Sequence, residues 1–160
     1  MMTIATAPAV RAVSVALAGN PNAGKTTLFN ALTGARQHVG NWPGKTVEKK
    51  TGILVRDALR LDITDLPGAY SLSAYSLEEV VARDFILDER PDVVLAVVDA
   101  ANLERNLYLV VQLLELETPS VIALNMIDVA MRQGLDFDVA RLSEALGAAV
   151  VPTAARRGEG

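Results

Sequence analysis

Cysteine is absent from this 160-residue chain, histidine and tryptophan occur once each, and aromatic residues make up only 4% of it. Without cysteine there is no disulfide and no thiolate metal site, which fits a protein of a reducing compartment. Scarce aromatics speak against a surface built to stack bases. Lys45, Lys49, Lys50, Arg56 and Arg60 cluster, but no aromatics interleave with them and the net charge is −4. That cluster reads as a solvated strand face, and no nucleic-acid partner is expected. Long apolar runs are missing too. The best, Val93 to Val98, closes on Asp99, far short of the roughly 18 residues a spanning helix needs. The apolar stretch from Met1 to Ala18 mimics a leader, yet it lacks a basic start and is interrupted by Pro8 and Arg11. We read residues 1–12 as an N-terminal tail and expect a chain that is itself soluble and does not cross a membrane.

What is present is a domain's worth of core. Hydrophobic residues are 51% and charged residues 21% of the chain, the balance of one globular unit. Strand patterns fall near 13–18, 46–55, 58–64, 92–98, 120–124 and 148–151, with a hairpin turn at Arg56-Asp57. Helical patterns alternate with them. One runs from Lys25 to about Leu32, closed by Gly34. Another starts at the capping box Ser76-Leu77-Glu78-Glu79, so Glu78 and Glu79 serve helix-start electrostatics rather than a metal. Leu103, Leu107, Val110, Val111 and Leu114 share one face of a third helix; Val139, Leu142 and Leu146 share a face of a fourth. The expected fold is α/β, a six-stranded, mainly parallel sheet with one antiparallel strand, flanked by helices.

Chemistry enters at Gly19-Asn20-Pro21-Asn22-Ala23-Gly24-Lys25-Thr26, a G-x-x-x-x-G-K-T motif directly after the strand Val13–Ala18 and before a helix. Glycines leave no Cβ between main chain and ligand, so successive N–H groups can converge on phosphate oxygens. Lys25 adds a full charge, Thr26 offers a hydroxyl to Mg²⁺, and the helix aims its positive dipole end at the anion. Phosphate binding is therefore assigned to Gly19, Asn20, Pro21, Asn22, Ala23, Gly24, Lys25, Thr26 and Thr27. The segment Asp65-Leu66-Pro67-Gly68 follows the strand Leu59–Thr64; Asp65 suits Mg²⁺ held through water, and the N–H of Gly68 suits a γ-phosphate.

The base is decided by Asn125-Met126-Ile127-Asp128, after the strand Ser120–Leu124. A carboxylate at Asp128 accepts two hydrogen bonds from the N1–H and N2–H₂ of guanine, a donor pair that adenine lacks. Asn125 can brace the phosphate loop, and Thr153-Ala154-Ala155 can lend an N–H to guanine O6. These elements come in order, each at the carboxyl end of a strand, where open α/β sheets bind ligands. Guanine binding is assigned to Asn125, Met126, Asp128, Thr153, Ala154 and Ala155.

This ordered set resembles the Ras-like P-loop GTPases. The spellings from Gly19 to Thr26, Val39-Gly-Asn-Trp-Pro-Gly-Lys-Thr46-Val-Glu48, Asp65 to Leu72 and Asn125 to Asp128 resemble those of the cytosolic G domain of the bacterial ferrous iron transport protein B family. The likeness spans about residues 14–160. It implies a domain, residues 13–160, that lacks its last helix, with helical regulatory and membrane permease domains beyond. It implies GTP or GDP as ligand, Mg²⁺ held by Thr26, Thr46 and, through water, Asp65, and GTP hydrolysis served by Lys25, Asn22, Thr46 and Gly68. Switch I then carries Thr46, and switch II runs from Asp65 to about Ser76. Ras-like enzymes orient water with a glutamine where this chain has Ala69, so unaided hydrolysis should be slow. The family uses the asparagine equivalent to Asn22 to hold K⁺, completed by switch I carbonyls near Gly40 and Trp42. Implied partners are the permease and helical domain of the same full-length protein at the cytoplasmic face of the inner membrane, and a dimer or trimer. His38 and the Trp42 side chain receive no chemical role. Two alternatives stand: a ribosome-assembly GTPase, against which the V-G-N-W-P-G loop speaks, and a GTP-gated binding switch with incidental hydrolysis.

Overall fold

The computed structural model describes residues 11–160; most of the expected N-terminal tail lies outside the described residues. Seven strands form one sheet in the order β2-β3-β4-β1-β5-β6-β7. They are β1 (Arg11–Gly19), β2 (Gln37–Asn41), β3 (Glu48–Arg56), β4 (Leu59–Asp65), β5 (Val93–Asp99), β6 (Ser120–Asn125) and β7 (Ala149–Pro152). The helices are α1 (Lys25–Thr33), α2 (Leu77–Glu89), α3 (Leu103–Glu115), α4 (Ile127–Arg132) and α5 (Val139–Leu146).

β3 is antiparallel to both β2 and β4, while β1 runs parallel to β4 and β5, and β5–β6–β7 continue in parallel. One strand therefore opposes the rest, as the sequence pattern implies. The seventh strand is the difference from expectation. Gln37–Asn41, read from sequence as part of a loop, pairs residue for residue with Gly52–Glu48. Its His, Gly and Asn carry little intrinsic strand preference, and the pairing comes from the free edge of β3. α4 likewise leaves no mark in the sequence pattern; its six residues are too few for a periodic signal.

Local chemistry explains the boundaries. The two-residue turn between β3 and β4 puts Asp57 at φ 55°, a left-handed conformation that short hairpins require and Asp tolerates. At the start of α2 the Ser76 side chain accepts from Glu79 N at 3.1 Å. Glu79 returns the favour one residue earlier than a standard capping box, accepting from Tyr75 N at 3.1 Å and from Ser71 Oγ at 3.0 Å. Gly34 closes α1, its N–H donating to Asn30 O.

Alternation along the central strands divides the core in two. Ala16, Ala18, Val94, Ala96, Val98, Ile122 and Leu124 face α2, α3 and α5. Val15, Leu17, Val97 and Ala123 face α1 through Leu28 and Phe29. Phe29 is fully buried, worth roughly 2–3 kcal/mol of transfer free energy. This core sets the carboxyl ends of β1, β4, β6 and β7 along one end of the sheet.

Candidate nucleotide site

At those carboxyl ends lies a cleft of about 680 Å³. Its phosphate end is lined by Asn20, Pro21, Asn22, Gly24, Lys25, Thr26, Thr27 and Gly68, its other end by Asn125, Met126, Asp128, Ala154 and Ala155. The structure thus brings together residues from four separate motifs. Gly19 and Ala23 sit just behind: a Cβ on Gly19 would approach Val97 O to 2.7 Å, so glycine is what allows β1 and β5 to meet there.

The phosphate loop turns through Asn22 (φ 67°) and Gly24 (φ 86°) into α1. Gly24 is required twice over, since a Cβ would stand 2.2 Å from Asn125 Nδ2. Asn125 is 2% exposed. Its Nδ2 donates to Ala23 O at 3.0 Å, and its Oδ1 accepts from Thr153 Oγ1 at 3.2 Å and from Ala155 N at 3.0 Å. One amide therefore ties the phosphate loop, the end of β6 and the segment after β7 into a single wall. The N–H groups of Thr153, Ala154 and Ala155 already donate to Leu124 O, Glu159 O and Asn125 Oδ1. A donor to guanine O6 from this segment has to be shared with, or released from, its present acceptor.

Lys25 and Asp65 pair directly, both side chains being about nine-tenths buried. Burial pushes the Asp65 carboxyl above its usual range, and the Lys25 ammonium only partly offsets this. Ala69 is buried, its N–H donating to Gly19 O at 3.1 Å, so the chain after β4 lies against the end of β1. At the base end, Asp128 is partly exposed and paired with Arg132 of α4, whose Nη2 lies 3.4 Å from Oδ2. Arg132, Val129 and Arg156 also line the cleft. Sequence reasoning missed all three. An arginine four residues after Asp128 was the available signal, but it depended on a helix too short to predict.

Thr46, Gly40 and Trp42, expected to complete the metal sites, do not line the cleft in this structure. Gly40 is paired with Lys49 in the β2–β3 ladder. Trp42 is buried, stacked edge-on against Phe85 of α2 at 5.4 Å and covered by Lys49 Nζ at 4.6 Å. The Trp42 main-chain N–H donates to Val47 O, and the Trp42 carbonyl accepts from Lys45 N at 3.0 Å. Strand pairing and this aromatic contact hold the segment along the sheet edge, with Thr46 exposed to solvent. Exposed His38 lies on β2.

Among the described residues no helix is long and apolar enough to cross a membrane, and no group of three or more His, Asp or Glu could hold a metal ion. Comparison with known proteins bears on the rest. The family model described as ferrous iron transport protein B matches residues 13–160. The Fe(2+) transporter FeoB of Salmonella typhimurium is 52% identical over 155 residues, covering 94% of this chain but 20% of that protein. The chain thus spans about one fifth of the length of such curated relatives. A GDP-bound S. thermophilus NFeoB mutant superposes with a TM-score of 0.85 at 55% identity, over 91% of this chain and 57% of that one. The FeoB G-domain from Methanococcus jannaschii gives 0.83 at 43% identity, over 94% and 90%.

Proposed function

This chain belongs to the ferrous iron transport protein B family, as its N-terminal G domain, and from that premise we propose that it binds GTP, hydrolyses it to GDP and phosphate, and thereby regulates ferrous iron uptake by a longer membrane protein. The observation that carries this reading is the wall built by Asn125, which fixes the phosphate loop and the guanine end of one cleft at a set distance. Lys25 and the loop N–H groups neutralise charge on the β,γ oxygens, and Asp128 reads the guanine edge. Positioning and charge neutralisation supply most of the catalysis in such phosphoryl transfers. Gly68 N–H serves the γ-phosphate. Ala69 offers no side chain to orient water, so we propose that turnover is slow.

The residues present suit Mg²⁺. Thr26 lines the cleft, and Asp65 is a carboxylate pushed upward by burial, which Lys25 and, more weakly, Lys50 only partly offset, a shortage of positive charge that a divalent cation relieves. Mg²⁺ would there supply charge stabilisation to the β,γ oxygens. Thr46 would join only after the β2 segment leaves β3. For K⁺ the donor set is incomplete: Asn22 lines the cleft, while Gly40 and Trp42 are committed to the sheet edge and to Lys45. K⁺ stimulation remains a proposal, tested by single-turnover hydrolysis in KCl and NaCl at matched ionic strength. Faster turnover in KCl, abolished in Asn22→Ala, is the expected result.

We place the domain at the cytoplasmic face of the membrane, with the helical regulatory domain and permease of the same protein as partners. Calorimetric titration with GTP, GDP and ATP tests the core of the proposal. Equal affinity for GTP and ATP would sink it.

A further inference from the structure

Asn20 is 3% exposed, and neither its Oδ1 nor its Nδ2 has a hydrogen-bond partner among the protein atoms. A primary amide brings two donors and an oxygen with two lone pairs, and burying one unmet costs folding free energy that an apolar side chain would not. Only the Asn20 main chain serves the fold, its carbonyl accepting from Ala23 N at 3.2 Å. The side chain has no such duty.

Its position shows what it can meet. Along β1, Ala16 and Ala18 belong to the core that includes Leu66, Ala69 and Leu72, whereas Val15 and Leu17 belong to the opposite face. Continuing that alternation puts Asn20 on the face where the chain after β4 leaves the sheet. That chain is tied to the end of β1 at two places, Leu66 N to Leu17 O at 2.9 Å and Ala69 N to Gly19 O at 3.1 Å. Between those ties stand Pro67, which has no N–H, and Gly68, which shares the cleft lining with Asn20. A Cβ on Gly68 would approach Pro21 to 3.2 Å, so the turn already lies against the phosphate loop.

We infer that the Asn20 side chain is a positioning residue that hydrogen-bonds the main chain of the Pro67–Tyr70 turn when a γ-phosphate draws Gly68 inward. Its amide then gains the partners it otherwise lacks, and the turn is held where hydrolysis needs it. This substitutes in part for the side chain missing at Ala69, by fixing the backbone rather than the water. The inference rests on the reading of the cleft as a GTP site.

The test uses Asn20→Ala and Asn20→Ser in the full chain. Melting temperature without nucleotide, affinity for GDP, affinity for a non-hydrolysable GTP analogue with Mg²⁺, and single-turnover hydrolysis are measured for each. In Asn20→Ala the melting temperature should stay level or rise, since no hydrogen bond is lost. Analogue affinity or hydrolysis should fall about tenfold further than GDP affinity does, the effect of one or two hydrogen bonds to a buried amide. Asn20→Ser should fall between. A clear drop in melting temperature, an equal loss for GDP and analogue, or a variant indistinguishable from the parent overturns the inference. Failure of the parent itself to bind GDP overturns the site reading instead.

Discussion

At the scale of single residues, Asp128 and Asn125 make separable contributions. Asp128→Asn replaces an acceptor pair with a group that faces donors with donors. Affinity for GTP should weaken by about 2–4 kcal/mol with little change in folding stability, as calorimetry and thermal melting on the same samples will show. Asn125→Ala instead removes three hydrogen bonds and strands Ala23 O and Ala155 N–H inside the protein. We expect it to cost about 3 kcal/mol of stability in urea unfolding, before any nucleotide is added. Residues of this kind were legible because their chemistry is spelled locally: a glycine loop after a strand, a carboxylate at a strand end, an amide three residues before an aspartate. Asn20 was legible only as a member of the loop. Its spare hydrogen-bonding capacity is a property of what surrounds it, and no spelling records that.

Among the elements, β2 marks the limit of sequence reasoning. Val39-Gly-Asn-Trp identified the segment chemically, but its strand conformation is conferred by pairing with β3 and by the pocket under Phe85, the latter distant in sequence. Trp42 is the sole tryptophan, so its fluorescence reports this element alone. Emission should be that of a buried indole without nucleotide and shift to the red when Mg²⁺ and a GTP analogue are added, if Thr46 is to reach the metal. Unchanged emission at saturating analogue would contradict the release of β2. A second element-level contact lies at the opposite end of the sheet, where Asp92 Oδ2 accepts from Ser14 N and Ser14 Oγ, both at 2.8 Å, and Asp92 N donates to Ser14 Oγ at 3.0 Å. These bonds hold the Asp92 carboxyl below its usual range. Because the folded value is the lower one, the stabilisation is present above the ordinary carboxylate range and is lost as pH falls through the depressed value. Asp92→Asn should therefore be less stable than the parent at neutral pH, with the gap closing toward strong acid in pH-dependent urea unfolding.

For the whole molecule, the described residues hold no carboxylate–histidine cluster suited to iron, and the chain has no cysteine. Anaerobic titration should detect no stoichiometric sub-micromolar Fe²⁺ binding that survives excess Mg²⁺, so the cargo would be handled by residues of the longer protein. The α/β class and its single opposing strand followed from the alternation of short apolar runs with amphipathic stretches. The strand order did not, because periodicity says which face of a strand is buried and nothing about its neighbours. That order has a consequence for how the chain comes into being. β1 emerges first from a ribosome, yet its partners are β4 and β5, with Arg11 opposite Leu59 and Val15 opposite Val93. The β2–β3–β4 meander closes through near neighbours in sequence and can form early, whereas the central strand must wait, apolar on both faces, until most of the domain has been synthesised. During translation the phosphate loop hangs from a strand that stays unpaired until β4 and β5 have emerged, and Asn125 and Ala155, which brace that loop, come later still, so nucleotide capture becomes a readout of completed folding.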